Sequence, residues 1–221
     1  MTQQLQNQII IIGLIGDNRT GKDTFASYLN IHNNFKHLAF ADPIKEVSKI
    51  LFDFTDNQLY NDEKDIIDER WGFAPREFFQ QFGTEIMQKD IYNYIPGLKV
   101  KPKNFWAERL VREIENDIIK KQKQQQHNFI ITDIRFNHEL ETLYTFIDAM
   151  KSKSQYEIIF KTIKIEKPKL KNLSPSKLTH ESQLQVNNLT ADITILNDAD
   201  YSSYIVKIKD VIKTLGLLIN S

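Results

Sequence analysis

A run of apolar, largely β-branched residues at 9–14 leads directly into Gly16-Asp17-Asn18-Arg19-Thr20-Gly21-Lys22. The run does not alternate with polar residues, so it offers no solvent face. That pattern suits a strand covered on both sides, as in a parallel sheet packed between helices. The segment after it has the spacing G-x-x-x-x-G-K. Gly16 and Gly21 permit a tight backbone path, and a helix is expected from Lys22 to about residue 30. Amide N–H groups of such a loop and helix start converge on an anion, and Lys22 can reach the outer phosphates of a nucleotide. The residue after Lys22 is Asp23, where Ser or Thr is usual, and Thr24 comes next. A carboxylate there can hold Mg²⁺ through water or orient the surroundings of a substrate phosphate.

The rest of the chain reads as alternating strands and helices. Strands are expected at 37–41, 129–132, 156–165 and 193–196. Asp42 is read as the N-cap of a helix carrying Pro43 in its first turn. Further helices are expected from Ala74-Pro75-Arg76-Glu77 to about 89, at 104–125, 138–150 and 201–215. In the 104–125 segment Trp106, Leu110, Ile114 and Ile118 form one apolar face, and residues 120–126 read as its solvated end. Alternation of this kind predicts an α/β fold with a five-stranded parallel sheet flanked by helices. The long helical stretch at about 42–127 reads as an insertion over one end of the sheet, within a single domain spanning 1–221.

Thr132-Asp133-Ile134-Arg135-Phe136 falls at the carboxyl end of the third strand, where open parallel sheets bind ligands. Two readings are open. Asp133 can hold Mg²⁺-bound water while Arg135 points at phosphates, or Asp133 caps the next helix while Arg135 pairs with Glu139.

Bulk properties narrow the function. The 29 Lys and Arg balance 29 Asp and Glu, which argues against a nucleic-acid polymer as partner. The absence of cysteine excludes disulfides, thiolate metal sites and cysteine nucleophiles. No apolar run is long enough for a membrane span, and the polar first eight residues do not look like a signal peptide. A cytoplasmic location, in the host cytoplasm if the source is viral, is the expectation.

Several segments resemble the deoxynucleoside monophosphate kinases of phages and large DNA viruses. They are Gly21-Lys22-Asp23-Thr24, Phe40-Ala41-Asp42-Pro43-Ile44-Lys45-Glu46, the stretch from Arg70-Trp71-Gly72-Phe73 to Ala74-Pro75-Arg76-Glu77, Phe82-Gly83-Thr84-Glu85, Thr132-Asp133-Ile134-Arg135-Phe136 and His180-Glu181-Ser182. They keep the family's order from about residue 9 to 200. The resemblance implies a P-loop kinase with a helical acceptor-binding insertion and a short lid at about 166–182. It implies ATP and Mg²⁺, small nucleotide substrates and a homodimer.

On that reading Gly16, Asn18, Arg19, Thr20, Gly21, Lys22, Asp23, Thr24 and Asn197 contact ATP, and Asp23 and Asp133 serve the metal. Lys22, Arg76, Asp133 and Arg135 are the catalytic set. The acceptor is expected on Asp42, Lys45, Arg70, Trp71, Phe73, Arg76, Gln81, Phe82 and Glu85. Guanidinium groups give planar bidentate donors and the aromatic rings give packing area. Packing alone is the competing reading for Trp71, Phe78, Phe79 and Phe82, as are capping and surface pairing for Asp42 and Lys45. The lid segment holds Lys167, Lys169, Lys171 and Lys177 but no arginine. A phosphomevalonate kinase of the animal type, similar around Gly-x-x-x-x-Gly-Lys-Asp and Arg70-Trp71-Gly72, and a non-catalytic nucleotide-binding protein are the alternatives.

Overall fold

A computed structural model describes residues 8–120, 127–153, 156–168, 186 and 188–217. Five strands form one sheet: β1 (Gln8–Ile15), β2 (Phe35–Leu38), β3 (His127–Ile134), β4 (Glu157–Glu166) and β5 (Ile193–Leu196). Every pairing is parallel and the order is β2-β3-β1-β4-β5. The apolar run therefore occupies the central strand. Ile9, Ile11, Ile12, Leu14 and Ile15 are fully buried, which is why that stretch carries no polar alternation. Its first crossover helix, α1 (Lys22–Asn33), buries Phe25, Ala26 and Leu29 against the sheet.

The chain divides into two compact units. The first combines residues up to Leu38 with those from Val111 onward and holds the sheet. Besides α1 it contains α7 (Asn137–Lys153) and α8 (Tyr201–Thr214). Tyr204, Ile208 and Ile212 of α8 recur every four residues and join the core under β1, β4 and β5.

The second unit, Ala39–Leu110, is helical. It contains α2 (Asp42–Phe52), α3 (Asp56–Tyr60), α4 (Pro75–Gln80) and α5 (Ile91–Tyr94), and the start of α6 (Phe105–Lys120). Between α4 and α5 the backbone of Gln81–Asp90 winds as a π-helix. There the Gly83 carbonyl accepts a 2.8 Å hydrogen bond from the buried indole of Trp106. Phe52 is the hub of an aromatic network, with Trp71, Phe73 and Phe78 edge-on to it at 4.9–5.4 Å.

Several boundaries differ from the sequence reading. β2 ends at Leu38 instead of beginning at His37. Phe35 is buried beside Asn128 of β3, and residues 39–41 turn toward α2 so that Pro43 can sit in its first turn. Asp42 is the first helical residue, and Ala41 is the N-cap. Helix α3 was not anticipated, although Thr55 and Gln58 form a reciprocal capping box at its start. The helix expected at 104–125 runs to Lys120, and residues 121–126 lie outside the described residues. So do 169–182, which hold most of the expected lid, its lysines at 169, 171 and 177, and His180-Glu181-Ser182.

Glu139 sets the turn from β3 to α7. Its carboxyl group accepts the Arg135 and Phe136 amides at 2.7 and 3.0 Å and is buried. Burial pushes its pKa up to about 8, against those two amide bonds. The folded state thus keeps this proton over a range in which unfolded Glu139, near 4.5, has lost it. Stability from this group is fullest below 4.5 and falls as pH rises toward 8. Glu139→Gln keeps the acceptor oxygen and removes the titration. Denaturant unfolding should show a smaller loss of stability between pH 5 and 8 than in wild type, whose slope approaches ~1.4 kcal/mol per pH unit for one proton. Parallel curves for the two proteins would contradict this assignment.

Candidate active site

The loop after β1 is shaped by contacts behind it. A Cβ on Gly16 would lie 2.5 Å from the Ile165 carbonyl oxygen, so the backbone of β4 leaves room only for glycine. Gly21 has φ 108° and caps α1, a conformation that side chains disfavour. Thr20 Oγ1 donates to the Asp17 carbonyl at 3.0 Å. Lys22 Nζ folds back and donates to the Gly16 and Asp17 carbonyls at 2.9 and 2.5 Å. Asn197, just beyond β5, donates from Nδ2 to the Thr20 carbonyl at 2.9 Å, and the Tyr204 hydroxyl donates to the Gly21 carbonyl at 3.0 Å.

Charges of both signs meet at Lys22. Lys22 is only 8% exposed. Burial first, and the Arg135 guanidinium second, pull its pKa down to about 8, while Asp23, Asp133 and Asp17 act in the opposite direction. A buried ammonium with a lowered pKa gains by contact with an anion, which offsets the hydration that burial has removed.

The end of β3 lies beside this loop. Arg135 Nη2 donates to Asn18 Oδ1 at 3.1 Å, and Asp133 is half-buried and close enough to Lys22 to raise its pKa. The Arg135 side chain therefore faces the loop, and Glu139 is met by the Arg135 backbone amide instead. Thr132 is buried and its Oγ1 lies 2.9 Å from His37 Nε2. Asn18, Arg19 and Asp23 are exposed, and Thr24 is half-buried. One group of expected residues, Gly16, Asn18, Thr20, Gly21, Lys22, Asp133, Arg135 and Asn197, thus meets around one loop.

In the second unit the expected acceptor residues are held by neighbours of their own. Arg70 grips the buried carboxylate of Asp68 through Nε at 3.1 Å and Nη2 at 2.8 Å, and Gln58 donates to the same carboxylate at 2.7 Å. That grip holds the Asp68 carboxyl well below the usual carboxylate range. Arg76 pairs with Asp65, its Nη2 lying 3.1 Å from Oδ2. Trp71 is 47% exposed and its indole N–H donates to the Phe52 carbonyl at 2.8 Å. Phe73 packs edge-on against Phe52 and Phe54, and Phe82 stacks on Phe78 at 5.2 Å. Lys45 lies over the Tyr60 ring at 4.3 Å and 3.9 Å from Asp42. Gln81 is exposed, and Glu85 pairs with Lys89 at 2.8 Å.

The sequence reading overlooked Tyr204 and underused Glu139. Tyr204 is 183 residues from the carbonyl it holds, so no local pattern marks it. Glu139 leaves a clearer trace, a Glu in the first turn of α7 just after the Asp133-Ile134-Arg135 segment.

No family model matches the chain. The chain is 31% identical over 194 residues to the "Putative deoxynucleotide monophosphate kinase" of Acanthamoeba polyphaga mimivirus, covering 86% of this chain and 89% of that protein. Among solved structures it resembles dephospho-CoA kinase from Campylobacter jejuni, with 20% identity, 94% and 96% coverage and a TM-score of 0.44. It also resembles shikimate kinase from Aquifex aeolicus, with 15% identity, 93% and 96% coverage and a TM-score of 0.42. Extended similarity to the mimivirus protein, together with a parallel sheet that delivers a glycine loop and a buried lysine at the end of its central strand, places this nucleotide kinase in the deoxynucleoside monophosphate kinase family of P-loop kinases.

Proposed function

We propose that the protein transfers the γ-phosphoryl group of ATP to a deoxynucleoside 5′-monophosphate, giving the deoxynucleoside diphosphate and ADP. The observation that carries this reading is the buried Lys22 ammonium held over the Gly16–Gly21 loop, in a chain similar over most of its length to a protein named for that substrate class.

The donor triphosphate lies on the loop, contacted by Gly16, Asn18, Arg19, Thr20, Gly21, Lys22, Asp23 and Thr24, with Asn197 at the nucleoside side. Lys22 exchanges its two carbonyl partners for β- and γ-phosphate oxygens. Mg²⁺ fits the residues present. Asp23 and Asp133 both act electrostatically on Lys22, so both lie near the loop. No cluster of three or more His, Asp or Glu among the described residues is built to hold an ion unaided. The two carboxylates would therefore hold the ion through water while nucleotide oxygens supply inner ligands. Bound there, Mg²⁺ would offset charge on the β- and γ-phosphate oxygens.

An oxygen of the acceptor's phosphate forms the new bond to the γ-phosphorus as the bond to the β,γ-bridging oxygen breaks. The bonding pair leaves with ADP. The attacking oxygen is already anionic, so no strong base is required. Lys22 and Arg135 stabilise charge on the transferring group. In the second unit Arg76 and Arg70 are the acceptor's phosphate donors. Arg76 becomes available by giving up Asp65, while Arg70 keeps its hold on Asp68 and offers a remaining N–H. Trp71, Phe73 and Phe82 receive the base or sugar, and Asp42, Lys45, Gln81 and Glu85 complete that site. Close aromatic packing would leave a ribose 2′-hydroxyl without a partner, which favours the deoxy sugar.

Lys22→Ala should lower kcat by ~10²-fold or more, the scale for one preorganised charge. A folded Lys22→Ala protein turning over normally would overturn the mechanism. ATP binding needs Lys22 charged, and bound phosphate raises its pKa. Affinity should therefore fall as pH rises above about 8, with proton uptake on binding seen calorimetrically in buffers of different ionisation enthalpy. Affinity constant from pH 7.5 to 9.5 would refute that coupling. Coupled ADP-release rates across the common dNMPs, the matching NMPs and mevalonate 5-phosphate should give the highest kcat/KM for a dNMP. Equal values for dNMP and NMP would remove the sugar preference.

A further inference from the structure

The Tyr204 hydroxyl plays no part in the chemistry above, yet it touches the loop. Tyr204 is 3% exposed, and its hydroxyl donates to the Gly21 carbonyl at 3.0 Å. Asn197 Nδ2 donates to the Thr20 carbonyl at 2.9 Å. These are consecutive carbonyls at the point where the loop becomes α1. In a trans peptide the C=O of one residue and the N–H of the next lie in one plane and point in opposite directions. Holding the Thr20 carbonyl therefore aims the Gly21 amide, and holding the Gly21 carbonyl aims the Lys22 amide. Lys22 is the first residue of α1, so its N–H has no acceptor within the helix and is free to meet an anion.

We propose that Tyr204 and Asn197 are positioning residues that aim the Lys22 and Gly21 amides at the phosphates of the bound nucleotide. This rests on the nucleotide-binding reading above. The Gly21 carbonyl also accepts the Phe25 amide at 3.0 Å, the first bond of α1. That bond runs along the helix. The Tyr204 hydroxyl approaches from the core, so the two lone pairs of the oxygen are held from two directions. The clamp and the glycine fit each other. A Cβ on Gly21 would lie 2.7 Å from Asn197 Nδ2 and 2.9 Å from Tyr204 Cε1.

The clamp is itself braced. The Asn197 amide donates to the Glu166 carbonyl at 2.7 Å. Lys207, one turn beyond Tyr204, donates to the Leu196 carbonyl at 2.7 Å and to Asp198 at 2.6 Å, on either side of Asn197. The groups that aim the two amides thus come from the end of β5 and one face of α8.

Tyr204→Phe keeps the buried ring and leaves the Gly21 carbonyl its Phe25 bond, so the fold is retained. Calorimetric binding of ATP, inorganic tripolyphosphate and adenosine to the full chain separates aiming from packing. Affinity for ATP and tripolyphosphate should fall about three- to tenfold, the scale of one lost hydrogen bond, with adenosine affinity unchanged. Asn197→Ala should likewise weaken tripolyphosphate, which lacks the nucleoside that Asn197 also meets, and this arm carries the test should Tyr204→Phe lose its fold. The proposal is overturned if a folded Tyr204→Phe protein binds tripolyphosphate as tightly as wild type, or if adenosine weakens in step with it. Wild type that binds adenosine nucleotides normally keeps the kinase reading standing in either case. Wild type that binds neither ATP nor tripolyphosphate ends both.

Discussion

A backbone loop can turn its amides toward an anion only if something else accepts the burden of its carbonyls. In this protein a set of hydrogen bonds at the loop answers that demand. Until an anion draws it away, Lys22 takes the Gly16 and Asp17 carbonyls; Thr20 also bonds Asp17, Asn197 takes Thr20, and Tyr204 with the first amide bond of α1 takes Gly21. The glycines follow from the same demand. Gly16 passes against the Ile165 carbonyl and Gly21 against Asn197 and Tyr204, distances that no Cβ tolerates. The shape of the loop is thus a product of the sheet that surrounds it more than of the seven loop residues alone.

How much of this is readable in advance depends on how far apart the interacting parts lie. The central strand is plain because burial on both faces erases alternation over residues 9–14. The loop is plain because both glycines and the lysine act over a short span. β2 is harder: four residues carry too few periods to fix a boundary, and the turn before Pro43 decided it. The π-winding of Gln81–Asp90 leaves no mark in its own residues, and the Gly83 carbonyl within it meets an indole 23 residues away. The capping box at Thr55 and Gln58 was local and legible, and overlooking α3 reflects its five-residue length.

The arginines show a related difficulty. A guanidinium near aromatic residues is a reasonable hydrogen-bond donor to phosphate by chemistry alone. Arg70, however, has a carboxylate two residues away in Asp68, and the backbone turn there wraps the one around the other. Arg76 meets Asp65 instead. Residue type predicts what such groups can bind, and only the turn geometry shows what they already hold.

The distance between clamp and loop has a consequence for how the protein comes into being. The loop is made at residues 16–22, but the groups that tie back its last two carbonyls arrive 177 and 183 residues later. During synthesis, β1 and the loop therefore leave the ribosome long before they can be shaped for a nucleotide. On the proposed function ATP would act as a ligand for the finished first unit and not for a growing chain, and a break in the backbone near α8 would unshape the loop from a distant part of the sequence while leaving its own residues untouched.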